Sequence, residues 1–327
     1  MTTMTTPMKK LQSRLHKTGF PIAYVKSVIP EWWDKSLEAS SQSMLMLKMH
    51  LSKHLGLDLP SLIDDRMNIR FQEAGRTHYR MTHGKSDSDV VIAKSLAISV
   101  AKLVAAATVV PYKPIPASPS SVRKVIHREY NWVSFEALLD YVWKRGVPVV
   151  HLKKLPAKAK KFDGMVVNID GRPVIILSRM DKAAAWQLFI LAHEVGHIGK
   201  GHTEDGIVFL DEKLSGADED EREQEATDYG MHLISGKSDT NIRSASELNG
   251  STLAKASLTF GRKHKVDPGH VALNYGHSMK RMGVARAALN QLPDQYNAME
   301  HMSVVLYQNI DLDLLPDDSQ DILAKLV

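Results

Sequence analysis

The spacing of apolar residues predicts an α+β chain that is mainly helical and contains one small β-sheet. Apolar positions recur at helical intervals between residues 45 and 55, and the apolar stretch 90–110, interrupted by two lysines, predicts a buried helix instead of a membrane span. Two β-rich runs within residues 164–178 flank Asp170-Gly171, a dipeptide typical of a hairpin. The pattern therefore predicts a hairpin packed against a helix at about residues 182–199.

Proline-rich sequence marks the clearest internal boundary. Residues 111–120 contain four prolines, which suits an extended linker. We place a helical N-terminal domain at residues 1–110 and a second domain at residues 121–290. Residues 291–327 have the pattern of a C-terminal helical tail.

Composition and charge narrow the classes of site and partner. The chain has no cysteine, so any metal must be held by His, Asp or Glu, and the absence of disulfides fits a cytoplasmic location. The first 20 residues lack the apolar stretch of a secretory signal, and we expect no membrane association. Residues 1–150 hold 21 Lys+Arg against 12 Asp+Glu, so this basic half is a possible DNA-binding surface.

The predicted helix at residues 182–199 carries the motif His193-Glu194-x-x-His197. Residues four apart lie about 40° apart around a helix axis, so two imidazoles at this spacing can bind one ion. Glu194 can reach a water on that ion without being a ligand, which is the position of the general base in zinc peptidases. The other residues of this helix are largely apolar, and burial of three polar groups there is costly unless they are paired or bind a metal. The motif therefore predicts a Zn²⁺ site and a hydrolase.

The third zinc ligand is less evident from the residues. The metzincin pattern places a histidine six residues after the second motif histidine, whereas His202 follows His197 by five. A carboxylate from the acidic helix start at residues 218–226 is the other source. Three candidates lie there: Glu221, Glu223 and Glu225. The apolar periodicity around Tyr229 favours Glu225, with Glu221 in reserve.

Four segments together resemble the ImmA/IrrE family of bacterial and phage metallopeptidases. They are residues 147–150, 170–177, 189–197 and 225–230, and the resemblance covers roughly residues 120–280. It implies a zinc metallo-endopeptidase of narrow specificity, and it places the third ligand of the family, the first residue of a Glu-Ala-Asn-x-Phe-Ala segment, at Glu225. Family members often cleave helix-turn-helix repressors that control stress responses, mobile elements or toxin–antitoxin loci, which implies a protein substrate of that kind.

The resemblance is incomplete in the segment 225–230. Thr227, Tyr229 and Gly230 stand where the family usually has Asn, Phe and Ala. Loss of the Asn would change the hydrogen bonds around the metal ligands and so affects activity more than metal binding. The sequence does not identify the residue that stabilises the oxyanion. The four candidates are His202, Tyr229, Tyr275 and His277.

Two other functions remain open. Residues 45–63 resemble the end of a repressor-type helix-turn-helix domain, which favours a DNA-binding regulator whose metal site is structural or sensory. A helical appendage that only packs on the rest explains this segment equally well. The other alternative is that the chain is an antitoxin-like interaction protein. Glu194 favours the enzyme, because a structural metal site needs no base.

Overall fold

The computed structural model describes residues 6–72, 88–203, 209–210, 217–293 and 296–327. These residues form α-helices and one small mixed sheet, which confirms the predicted α+β, mainly helical class. The helices are α1 (Pro7–Lys17), α2 (Ile22–Ser27), α3 (Ser41–Leu55), α4 (Leu59–Ile63), α5 (Ser88–Ala107), α6 (Pro119–Ile126), α7 (Phe135–Lys144), α8 (Ala184–Gly199), α9 (Ala217–Ser235), α10 (Gly250–His264), α11 (Pro268–Ser278), α12 (Met282–Leu289), α13 (Ala298–Asn309) and α14 (Asp317–Leu326). The strands are β1 (Val149–His151), β2 (Gly164–Ile169), β3 (Arg172–Leu177) and β4 (Phe209–Leu210).

The predicted hairpin is confirmed as β2 and β3. Asp170 and Gly171 connect the two strands with φ values of 50° and 85°, and two positive φ angles in succession are what a type I′ turn requires. The sheet order is β1-β3-β2-β4, with β1 parallel to β3 and the other pairs antiparallel. The strand predicted at residues 147–150 begins two residues later than expected.

Helices cover both faces of the hairpin. α5 and α8 each pack on β2 and β3, and residues 164–167 of β2 are all buried. α5 is the one helix of the described ranges that is long and apolar enough to cross a membrane, but 72% of its most apolar window is buried. Its burial against the sheet agrees with the core helix predicted from the sequence.

The segment that resembles a helix-turn-helix forms a helix, a tight turn and a very short helix. Gly56 ends α3 in the left-handed conformation, with φ 65°, and α4 has five residues. Arg14 of α1 donates hydrogen bonds to the carbonyl groups of Ser61 and Leu62 and so holds the end of α4 against α1. This packing fits an appendage as well as it fits a binding motif.

The predicted linker is extended but packed. Ile115 is buried, Arg145 donates a hydrogen bond to the Lys113 carbonyl, and Tyr229 donates one to the Pro116 carbonyl. One apolar core runs from α1, α3 and α5 through the sheet to α13 and α14, and a second cluster joins α10, α11 and α12. The predicted domains and their boundaries stay a prediction; residues 291–327 contain α13 and α14, which contribute to the main core.

Candidate metal centre

His193 and His197 lie on the buried side of α8 and point the same way. Both side chains are buried, and their Nε2 atoms are 3.0 Å apart, as expected for residues four apart on a helix. Burial lowers the pKa of His197 below its usual value, so this imidazole is neutral at pH 7 and has a lone pair to offer. The two rings therefore form half of a metal site.

Glu223 of α9 completes a group of three possible ligands. Its Oε2 lies 3.1 Å from His193 Nε2, and its Oε1 lies 3.4 Å from His197 Nε2. A tetrahedral ion with ligands at about 2.0–2.2 Å needs ligand atoms about 3.3–3.6 Å apart, so the three groups need little movement to bind one. Burial raises the pKa of Glu223, but hydrogen bonds from His193 and His197 outweigh burial and lower it to about 2. Two imidazoles and one carboxylate suit zinc and related divalent ions.

Small residues decide which side of α9 faces α8. A Cβ on Gly196 of α8 would lie 2.5 Å from the Ala226 carbonyl oxygen, and one on Gly230 would lie 3.0 Å from the Ala192 carbonyl carbon. The two backbones therefore touch where side chains are small or absent. Glu223 precedes Ala226 by three residues and Gly230 by seven, so helical periodicity puts its carboxylate on the same contact face.

The structure does not bring Glu225 to the two motif histidines. Its carboxylate accepts hydrogen bonds from His202 Nε2 at 3.0 Å and from Lys200 Nζ at 3.4 Å, and 44% of its side chain is exposed, against 26% for Glu223. The sequence argument took Tyr229 as the marker of the inner side of α9. Tyr229 is indeed buried, but it packs against Gly199, beyond the histidines, and so marks a different face.

Hydrogen bonds at the Nδ1 atoms, on the side away from Glu223, orient both imidazoles. Because the Glu225 carboxylate accepts from His202 Nε2, His202 Nδ1 is left to accept from His197 Nδ1, 3.0 Å away. Thr227 Oγ1 lies 3.2 Å from His193 Nδ1 and can accept its hydrogen. When a metal ion displaces the Nε2 hydrogens that otherwise bond to Glu223, the Nδ1 hydrogens remain with His202 and Thr227, and each Nε2 lone pair then faces the ion.

We expect Thr227→Val to weaken zinc binding about 10-fold, because outer hydrogen bonds of this kind contribute about 10- to 100-fold to metal affinity. Valine keeps the shape of the side chain but cannot hold His193 Nδ1. Competition for zinc with a chromophoric chelator measures the affinity. Thr227→Ser retains the hydroxyl and should bind like the wild type; equal affinity in the valine variant would contradict the orienting role.

Glu194 is buried beside the first residue of β2. A Cβ on Gly164 would overlap the Glu194 carboxylate and lie 2.7 Å from Ile190 Cγ2, so only glycine leaves room for the carboxylate in this position. A buried carboxylate is costly unless it is hydrogen-bonded or paired. Its position next to His193 therefore favours a chemical role for Glu194. The sequence could not single out Gly164, because nothing in the hairpin pattern marks it.

Gly164→Ala should displace the Glu194 carboxylate and leave zinc binding unchanged. A misplacement of about 1 Å costs about 100-fold in rate where a group must be precisely oriented, so we expect hydrolysis to fall by that order. Metal content and the rate of peptide cleavage are the two readouts. Gly283→Ala on α12 is the matched control, since a Cβ there meets nothing within 4 Å. A parallel loss of zinc would show that the glycine supports the fold instead.

The four residues considered for oxyanion stabilisation lie in different environments. His202 contacts the Nδ1 atom of His197, and the Tyr229 hydroxyl donates a hydrogen bond to the Pro116 carbonyl. The Tyr275 hydroxyl accepts a hydrogen bond from the Leu248 amide in the second apolar cluster, and His277 is exposed near the end of α11. Of the four, only His202 touches the candidate metal centre.

Comparisons with known proteins give no relative for this chain: no family model, curated protein or solved structure matches it. What can be said of its chemistry therefore rests on its own residues. The buried His193, His197 and Glu223 are a possible metal-binding group on two packed helices.

Proposed function

We propose that this protein is a cytoplasmic zinc-dependent endopeptidase of narrow specificity, of the ImmA/IrrE type. The observation that carries the proposal is the convergence of His193 Nε2, His197 Nε2 and the Glu223 carboxylate, with the buried carboxylate of Glu194 at the next position along α8. A site that only held the fold together would need the three ligands but no fourth acidic group. Glu194 therefore favours hydrolysis over a structural or sensory role.

Each side chain of the site has a separate role in the proposed peptide hydrolysis. His193, His197 and Glu223 would hold the zinc ion, which would polarise the scissile carbonyl and acidify a water. Glu194 takes the proton from the attacking water and delivers it to the leaving amine as the peptide bond breaks. His202 and Thr227 keep the imidazoles in the tautomer that binds the metal.

The proposed substrate is another protein, with a helix-turn-helix repressor as the first to test because of the sequence resemblance. DNA binding by the N-terminal half rests on its net basic charge and on the helix-turn-helix resemblance of residues 45–63. Against it, α4 has five residues, which is short for a helix that lies in a DNA groove. An antitoxin-like role would require no metal. The metal group favours the peptidase over the antitoxin-like role, and Glu194 favours it over the regulator.

The test is metal analysis of the purified full-length protein together with cleavage of a proteome-derived peptide library, read by mass spectrometry of new termini. We expect stoichiometric zinc at the motif histidines and cleavage that a chelator abolishes and zinc restores. The helix-turn-helix protein encoded nearest to this chain is the first intact substrate to try. Zinc-loaded protein that cleaves neither library nor repressor would overturn the enzymatic proposal and leave a structural or sensory metal site.

A further inference from the structure

A second group of possible metal ligands lies far along the chain from the first. His50 and His54 of α3 face Asp318 at the start of α14, and one ligand atom from each lies within 4.8 Å of the others. Both imidazoles are buried, while 33% of the Asp318 side chain is exposed. The group joins helices from the two ends of the chain, since His50 and Asp318 are 268 positions apart.

Backbone carbonyl groups fix the tautomer of each imidazole. The Val28 carbonyl lies 3.1 Å from His50 Nε2, and the His50 carbonyl lies 2.9 Å from His54 Nδ1. Carbonyl oxygens only accept, so both of these nitrogens carry hydrogen. The second nitrogen of each ring, His50 Nδ1 and His54 Nε2, faces α14 and is the one that can bind a metal. Metal-binding histidines are held in this way, with the outer nitrogen donating to a carbonyl or carboxylate.

The atoms inside the group are mostly acceptors. His50 Nδ1 lies 3.3 Å from Asp318 Oδ2, and a lone pair facing a carboxylate is unfavourable unless a proton or a cation lies between them. The Ser319 hydroxyl lies 3.2 Å from His54 Nε2 and 3.3 Å from Asp318 Oδ1, but its one hydrogen serves a single acceptor. Lys53 Nζ donates to the same hydroxyl oxygen, so it satisfies neither imidazole.

The three groups match the donors that a divalent metal prefers. Two imidazoles, each with its outer nitrogen held by a backbone carbonyl, and one carboxylate are the donor set of a borderline divalent ion such as zinc.

We propose that His50 Nδ1, His54 Nε2 and the Asp318 carboxylate form a second zinc site, with a structural role. The ion replaces the proton that the His50–Asp318 contact otherwise needs, and it clamps α3 to α14. Because the ligands come from opposite ends of the chain, the site exists only in the folded protein, and the binding free energy of the ion stabilises the folded state. The site is independent of the proposed peptidase centre on α8 and α9.

Equilibrium dialysis of the full-length protein against zinc, with metal analysis, tests this proposal. The double variant His193→Gln/His197→Gln removes the first site and should retain one zinc per chain. Adding Asp318→Asn to it should weaken the remaining binding at least about 100-fold. Adding Asp317→Asn instead should change nothing, because Asp317 is an exposed neighbour on the same helix with the same charge. Asp318→Asn keeps the shape of a partly exposed side chain and is the variant least able to disturb folding.

Hydrogen–deuterium exchange locates the ion independently of its stoichiometry. In the double variant, zinc should slow amide exchange in α3 and α14, and this protection should be lost with Asp318→Asn. Absence of zinc from the double variant, or equal binding with and without Asp318→Asn, would overturn the second site. If the first site held no zinc, the wild type would bind one equivalent and lose it with Asp318→Asn, so the two proposals can fail separately.

Discussion

Glu223→Gln is expected to weaken zinc binding at the α8–α9 centre by more than about 100-fold, since even residues outside the ligand shell contribute about 10- to 100-fold. The amide keeps the size of the side chain but removes the negative charge that lies between the two Nε2 atoms. The measurement is zinc affinity by chelator competition in an Asp318→Asn background, so that the other proposed site does not contribute. Circular dichroism checks that the overall helix content is unchanged.

Glu225→Gln is the matched comparison, because it makes the same change two residues further along the same helix. Its carboxylate contacts His202 and Lys200, so we expect a decrease of about 10-fold, transmitted through the orientation of His197. The two variants together decide between the ligand assigned by periodicity and the one assigned by the structure. A larger loss for Glu225→Gln than for Glu223→Gln would return the third ligand to Glu225.

Glu194→Gln should leave zinc bound and reduce peptide hydrolysis by about 100- to 10,000-fold, the usual contribution of a general base. The amide fits the space beside Gly164 but cannot accept a proton from water. Cleavage of the peptide library and metal content are measured on the same preparation. Glu221→Gln on α9 is the control, since Glu221 is exposed and was the reserve candidate for the third ligand.

The outcome for Glu194→Gln separates an enzyme from a metal-binding regulator. Retained zinc with unchanged hydrolysis would remove Glu194 from the mechanism. Loss of zinc together with hydrolysis would indicate that the carboxylate supports the metal group itself. Only retained zinc with lost hydrolysis agrees with the role proposed for it.

Local patterns predicted the elements that carry the site. The Asp170-Gly171 turn, the β-rich runs that form β2 and β3, and the apolar run of α5 each depend on neighbours in the sequence, and all three were confirmed. The segment at residues 45–63 was predicted as a helix, a turn and a second helix, and it has that form. What this segment does is a matter of its surface and partners, which local patterns do not specify.

The sequence by itself determined that His193, Glu194 and His197 share one helix and that the two imidazoles point the same way, because a spacing of four residues fixes their relation. Only the tertiary structure decided which acidic residue meets them. That choice depends on how α9 is rotated against α8, and the rotation follows from close contacts at Gly196, Ala226 and Gly230. Apolar periodicity finds the buried side of a helix, but small residues set where two helices touch.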